Sequence, residues 1–242
     1  VRFCPIDFSK INHFGHPRKE NTCPYNETLS HSILRTMETP PLSYQIPGRS
    51  LLLGSASPRR AELLQRAGFS FTTVRIECDE SHPQGQTAAE QAIDLSQRKA
   101  KAYPFELAAD ELLLTADTVV WCRGEHLAKP TDREDALRML SSLSGTEHSV
   151  VTGCTLRTAE GMYSFSEQTD LVFRSMDPAV MAAYIDHSKP FDKAGAYGLQ
   201  EWIGLTQVER IEGCSSNVIG LPIPRLIREL SDAFGLKYLP FS

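Results

Sequence analysis

Ser50-Leu51-Leu52-Leu53-Gly54-Ser55-Ala56-Ser57-Pro58-Arg59-Arg60 is an apolar run that gives way to small hydroxyl residues, a proline and two arginines. The run reads as a buried strand, the small residues as a tight turn, and the rest as the first turn of a helix. Ser57 suits the N-cap, and Pro58 suits the first helical position, where a missing N–H costs nothing. Ala61, Leu63, Leu64 and Ala67 continue as an apolar stripe, and Gly68 is a natural stop. A helix N-terminus carries partial positive charge, so two arginines there oppose the dipole unless an anion joins them. Backbone N–H groups with Ser55, Ser57, Arg59 and Arg60 can form a phosphate site. The same residues can equally be a solvated arginine pair on a surface helix.

The rest of the chain bounds the choices. Its 242 residues, 41% hydrophobic and 23% charged, suit a packed domain and not a disordered chain. A net charge of −5 argues against bulk nucleic-acid binding, which leaves a basic footprint. Six cysteines are scattered with no C-x-x-C pair, so neither a zinc site nor a disulfide framework is expected, and a reducing cytoplasm fits. No apolar run approaches the roughly 18 residues of a membrane span, so no membrane partner is expected. Residues 1–48 lack a sustained period and are expected to be a poorly ordered extension before one domain at 49–242. Met37 is a candidate start within that extension.

Strands and helices alternate along the domain. Phe69 to Ile76 reads as a strand, and Thr87 to Glu90 as a capping box opening a helix toward Tyr103. Leu112 to Cys122 reads as a strand buried on both faces. Thr131 to Glu134 looks like a second capping box. Ser149–Thr158 and Met162–Arg174 form an antiparallel pair, and Asp177-Pro178 starts a helix. Leu205 to Ile211 reads as a short strand, Cys214 to Pro222 as a loop, and Leu226 to Phe234 as a last helix. A hairpin among alternating elements predicts an α/β fold with a mixed, twisted sheet and flanking helices.

Asp117 in the middle of the Leu- and Val-rich strand needs a partner, a metal or a cleft. Glu80 and Asp117 could hold Mg²⁺ or Mn²⁺, while Ser55, Ser57, Arg59, Arg60 and Lys129 could bind a polyphosphate. Lys99 and Lys193 are reserve phosphate ligands, Lys99 being more simply a solvated surface lysine. The seven histidines read as surface or satisfied residues, and none of the common hydrolase or nucleotide-binding motifs is present.

Gly54-Ser-Ala-Ser-Pro-Arg-Arg60, Ala116-Asp-Thr118, Lys129-Pro130, Asp192-Lys-Ala-Gly-Ala-Tyr-Gly198 with Gln200, and Asn217-Val-Ile-Gly-Leu-Pro222 resemble, in order, the Maf (septum formation) family of nucleoside triphosphate pyrophosphatases. The resemblance implies two lobes around a cleft, an inosine triphosphate pyrophosphatase-like (Maf/Ham1) fold, and a homodimer. It implies metal-dependent hydrolysis of a nucleoside triphosphate, with Asp117 as proton acceptor, Glu80 beside the metal, and Ser57, Arg59, Arg60 and Lys129 on the phosphates. It links Arg60, Thr118 and Gln200 to substrate choice in the dTTP/UTP branch. The 7-methyl-GTP branch carries Ser-Asp-Gln where this chain has Ala-Asp-Thr. A nucleotide-sensing protein that restrains division without turnover is the competing expectation. The segment Cys214-Ser215-Ser216 departs from the aromatic-containing versions of that loop.

Overall fold

Leu51, Leu52 and Leu53 are buried in strand β2 (Ser50–Gly54), and Pro58 opens helix α1 (Pro58–Ala67), which stops at Gly68 in the left-handed conformation. The computed structural model describes residues 40–81 and 85–240. In chain order the other elements are β1 (Leu42–Gln45), β3 (Thr72–Val74), α2 (Ala88–Lys101), β4 (Glu111–Cys122), β5 (Glu125–Leu127), α3 (Arg133–Leu143), β6 (Glu147–Arg157), β7 (Met162–Phe173) and α4 (Pro178–Ser188). A 3₁₀ turn (Ala194–Ala196) follows, then α5 (Trp202–Gln207), β8 (Val208–Glu212), α6 (Ser215–Ile219), α7 (Ile223–Phe234) and β9 (Lys237–Pro240). The main sheet runs β3-β2-β4-β6-β7-β8, with β5 beside β4. β3, β2 and β4 are parallel, and β4 through β8 are antiparallel, so the expected mixed sheet with flanking helices is what forms.

The cleft originates on β4. Its alternate residues Leu112, Leu114 and Ala116 join one hydrophobic core with α1 and α7, while Val120 and Cys122 join a second core with α3 and α4. Thr118 lies between the two. Its register partner on β6, Thr152, likewise separates Val150 from Cys154. Two lobes thus share one sheet and part at a row of hydroxyls. One edge of β4 also changes neighbours: β2 pairs with residues 111–114 and β5 with residues 120–122. Among the described residues no strand covers that edge between them, so side chains from both faces of β4 reach the gap.

Helix α2 covers the opposite face. Gly153, register partner of Asp117, faces the α2 backbone so closely that a Cβ there would stand 2.3 Å from the Ala92 carbonyl. Ser96 on α2 meets Thr155 at 2.7 Å and receives the Thr115 hydroxyl at its carbonyl, also at 2.7 Å.

Several sequence expectations need correction. The folded part starts before residue 49: β1 pairs with β9, Tyr44 stacks on Phe69, and Ile46 is buried. The rest of the expected extension, up to residue 39, lies outside the described residues. Only Thr72–Val74 of the 69–76 run is strand, because Phe69 bridges to β1 instead. The α3 cap is Asp132, not Thr131; its carboxylate accepts from the Asp135 amide, and Asp caps at least as well as Thr. Leu205–Ile211 is not one strand: Gly204 packs on the Leu199 carbonyl, which lets α5 turn before β8 begins. The 214–222 loop contains α6, which seats Asn217 against β6 and β7 through bonds of 3.0 Å to the Val150 carbonyl and Thr169 hydroxyl.

Gly153→Ala should therefore push α2 off the sheet. Urea unfolding is expected to show a loss of about 1–3 kcal/mol, the usual cost of overpacking a tight contact.

Candidate active site

The end of β2, the middle of β4 and four loops surround a cleft of about 340 Å³. That volume suits a small-molecule ligand. Ser55, Ser57, Arg59, Arg60, Glu80, Asp117, Thr118, Lys129, Lys193 and Gln200 all line it, together with Lys99 and Asp192. These ten predicted residues lie up to 145 residues apart in the chain, and the fold brings them to one place.

Its anion-seeking wall begins at α1. Ser57 takes the N-cap position, but its side chain caps nothing, and the first turn carries no acid. The Ser55 hydroxyl oxygen accepts from the Ser57 amide and from Arg60 Nη1, both at 3.2 Å. Arg60 is buried: Nε donates to the Gly220 carbonyl at 2.8 Å and Nη2 to Thr118 at 3.2 Å. Burial pushes its pKa down and the Asp117 charge opposes this, yet a guanidinium stays protonated at neutral pH. Three of its five N–H donors are thus spent on scaffold, and two remain.

Asp117 projects from the uncovered stretch of β4 toward α2, where Lys99 Nζ stands 2.6 Å from its Oδ1. The same ammonium holds Glu80 Oε1 at 2.9 Å, and Lys129 takes Glu80 Oε2 at 3.2 Å. Lys99 is therefore no surface lysine: its side chain is 13% exposed. Its place in the last turn of α2 carries an ordinary sequence explanation, which hid it. Partial burial pushes the Glu80 carboxyl up, but the bonds and charges of Lys99 and Lys129 outweigh this and hold it at about 2.

A second network ties α1 to the glycine-bearing loop. Arg59 meets Asp192 at 2.6 Å, Lys193 meets Asp192 at 2.7 Å and Glu201 at 3.0 Å, and Tyr184 donates its hydroxyl to Glu201. The Tyr184 oxygen accepts from the Gly198 amide, and the Tyr197 hydroxyl shares a 2.8 Å bond with His148. These bonds shape the loop that presents Gln200, whose side chain is exposed. His148 is a buried core histidine, not a surface one, and it is only half satisfied: Nε2 bonds Tyr197 while Nδ1 has no partner among the described residues, and burial pushes its pKa down to about 4. In the sequence Asp192 stands out only as part of a motif, and Glu201 and Tyr184 have no role at the site; only the fold reveals that they are counter-ions and props.

Among the described residues, five cations line the cleft against three carboxylates. The surplus of positive charge suits a polyanion. Two carboxylates on one ammonium form an oxygen-only donor pair that fits a hard divalent cation. No described group of three or more His, Cys, Asp or Glu could hold a metal unaided. The pair therefore fits an ion that completes its shell with water and ligand oxygens.

The profile of the Maf-like protein family matches residues 50–233. A relative from Bacteroides fragilis named dTTP/UTP pyrophosphatase is 45% identical over 181 residues, covering 74% of this chain and 94% of the relative. One from Bacteroides thetaiotaomicron with the same name is 44% identical over the same shares. A crystal structure of a nucleoside-triphosphatase / dITP/XTP pyrophosphatase from Mycobacterium abscessus aligns at TM-score 0.34 and 16% identity, covering 52% of this chain and 75% of that one, too remote to bear on the site.

Because the Glu80 pKa lies below its unfolded value near 4.5, its pairing adds stability above that pH and loses it as pH falls toward about 2. In Lys99→Met the Glu80 carboxyl should titrate well above 2 by ¹³C NMR. Urea unfolding at pH 7 should lose about 1–3 kcal/mol, since Asp117 keeps its burial without its counter-ion.

Proposed function

The chain belongs to the Maf family, and from that membership we propose a metal-dependent pyrophosphatase that converts dTTP and UTP to the monophosphate and pyrophosphate. The observation that carries this reading is Asp117, a carboxylate set into the cleft floor opposite a cationic wall. A nucleotide-binding protein needs the cations, but it has no use for an acid so costly to bury.

In this reading the triphosphate lies along Arg59, Arg60, Lys129 and Lys193. Its oxygens replace Asp192 and Glu80 as partners of the mobile cations, while Arg60 stays fixed by Gly220 and offers its two remaining donors. Asp117 orients a water toward the α-phosphorus and accepts its proton. The new water-oxygen bond to phosphorus forms as the bond to the α–β bridging oxygen breaks, and pyrophosphate leaves against the same cations. Glu80 and Asp117 would hold Mg²⁺ or Mn²⁺, which when bound offsets phosphate charge that the side chains do not reach. Uracil and thymine present an N–H between two carbonyls, and the planar amide of Gln200 can match one donor–acceptor pair of that edge. A site of polar matches rejects bases that leave its groups unpaired. No helix among the described residues is long and apolar enough to cross a membrane. A nucleotide-sanitising role in the cytoplasm belongs to the same proposal.

A nucleotide panel with pyrophosphate detection tests the reading: turnover of dTTP and UTP is expected, and turnover of 7-methyl-GTP in their place would refute the branch. Asp117→Asn should lower kcat by about 10²–10⁴-fold with the circular dichroism spectrum unchanged, as expected for loss of a general base. Gln200→Ala should narrow the preference for UTP over CTP by about tenfold in kcat/KM, the worth of roughly one polar match.

A further inference from the structure

Glu80 follows β3 on a segment with no regular structure, yet it must meet Asp117 across the cleft. Lys99 holds its side chain. What holds its backbone is the neighbouring residue on α2. Arg98 Nη1 donates to the Asp79 carbonyl at 2.7 Å, and Nη2 donates to the Ser81 carbonyl at 2.5 Å, one on each side of Glu80. Nε donates to Asp94 at 2.9 Å, one turn back on the same helix, which aims the fork. The Asp79 carboxylate closes the turn from within, accepting the Ser81 amide at 2.9 Å and the Ser81 hydroxyl at 2.7 Å. In the sequence, Asp94 and Arg98 are only an i,i+4 surface pair.

We propose that Arg98 is a positioning residue for Glu80: its guanidinium grips the carbonyls on both sides of that residue, so that the carboxylate is presented to a divalent cation beside Asp117. Two consecutive residues in the last turn of α2 then divide the task, Arg98 taking the backbone and Lys99 the side chains. A guanidinium is suited to this because its donors lie in one rigid plane, whereas an ammonium is a single point. Among the described residues Arg98 is not itself part of the cleft lining; its bonds reach the cleft through this loop. Its loss would lower the fraction of molecules in which both carboxylates face each other, and apparent metal affinity falls by that fraction.

The inference rests on the metal-dependent reading above, so its test includes a measurement free of turnover. Mn²⁺ binding to the full chain is followed by calorimetry without nucleotide, and UTP hydrolysis is followed against Mg²⁺ concentration. Arg98→Gln is expected to weaken Mn²⁺ binding and raise the half-saturating Mg²⁺ by about tenfold, the range for partners that orient metal ligands. Most of kcat should return at saturating Mg²⁺, and Arg98→Lys should recover part of the affinity. Asp94→Asn, which removes only the aiming contact, should shift both readouts in the same direction by less, and it carries the test if Arg98→Gln does not fold. Unchanged Mn²⁺ affinity and Mg²⁺ dependence in these variants would overturn the proposal, as would a fall in kcat at unchanged half-saturation. Failure of the unmodified chain to hydrolyse UTP or dTTP would instead sink the pyrophosphatase reading, and the calorimetry would still judge Arg98.

Discussion

A carboxylate set among leucines and valines must be paired, and the pairing of Asp117 with Lys99 is the constraint on which the site depends. Lys99 can reach Asp117 only because α2 lies hard against β6, and α2 can lie there only because position 153 has no side chain. The same approach brings Lys99 to Glu80 and Arg98 to the backbone around it. One close helix–strand contact thus sets the acid, its counter-ion and the second acid together.

The other face of the sheet solves a different problem. Two hydrophobic cores share β4 and β6 and need a boundary that tolerates polar groups. Thr118 and Thr152 provide it, bonded to each other at 2.9 Å, with Thr118 accepting from Arg60 and Thr152 donating to the Asn217 carbonyl. Arg60 can be buried at this seam because carbonyl and hydroxyl oxygens receive three of its donors. A buried guanidinium without such partners would be costly.

Charges in the cleft are arranged in advance for exchange. Arg59 and Lys193 share Asp192, and Lys129 holds Glu80, all as pairs open to solvent on at least one side. Such exposed pairs contribute little stability, so a polyanion can replace the carboxylates at small cost. Arg60 differs, since its contacts belong to the scaffold. The wall therefore combines one fixed cation with several that can change partner.

Much of this was legible before any coordinates. The hydrophobic period located most strands of the main sheet and most helices but not the short strands β1, β5 and β9, and the mixed sheet followed from a hairpin among alternating elements. Asp117 announced itself because a mid-strand acid violates the pattern around it, and Ser57-Pro58-Arg59-Arg60 because cations oppose a helix dipole. Lys99 showed only as a reserve phosphate ligand and Asp192 only as part of a motif, and Arg98 and Glu201 did not show at all, because each obeys its local rule: a cation late in a helix, an i,i+4 pair, an acid in a loop. Their partners lie across the sheet or in another loop, 17 to 133 residues away for the bonds of Arg98 to the Glu80 loop, of Lys99 to Asp117 and of Asp192 to Arg59. Local chemistry determined which residues are unusual for their place. Only the tertiary structure decided which ordinary ones join them, because charge pairing depends on distance in space, and sequence spacing reports that distance only within one element.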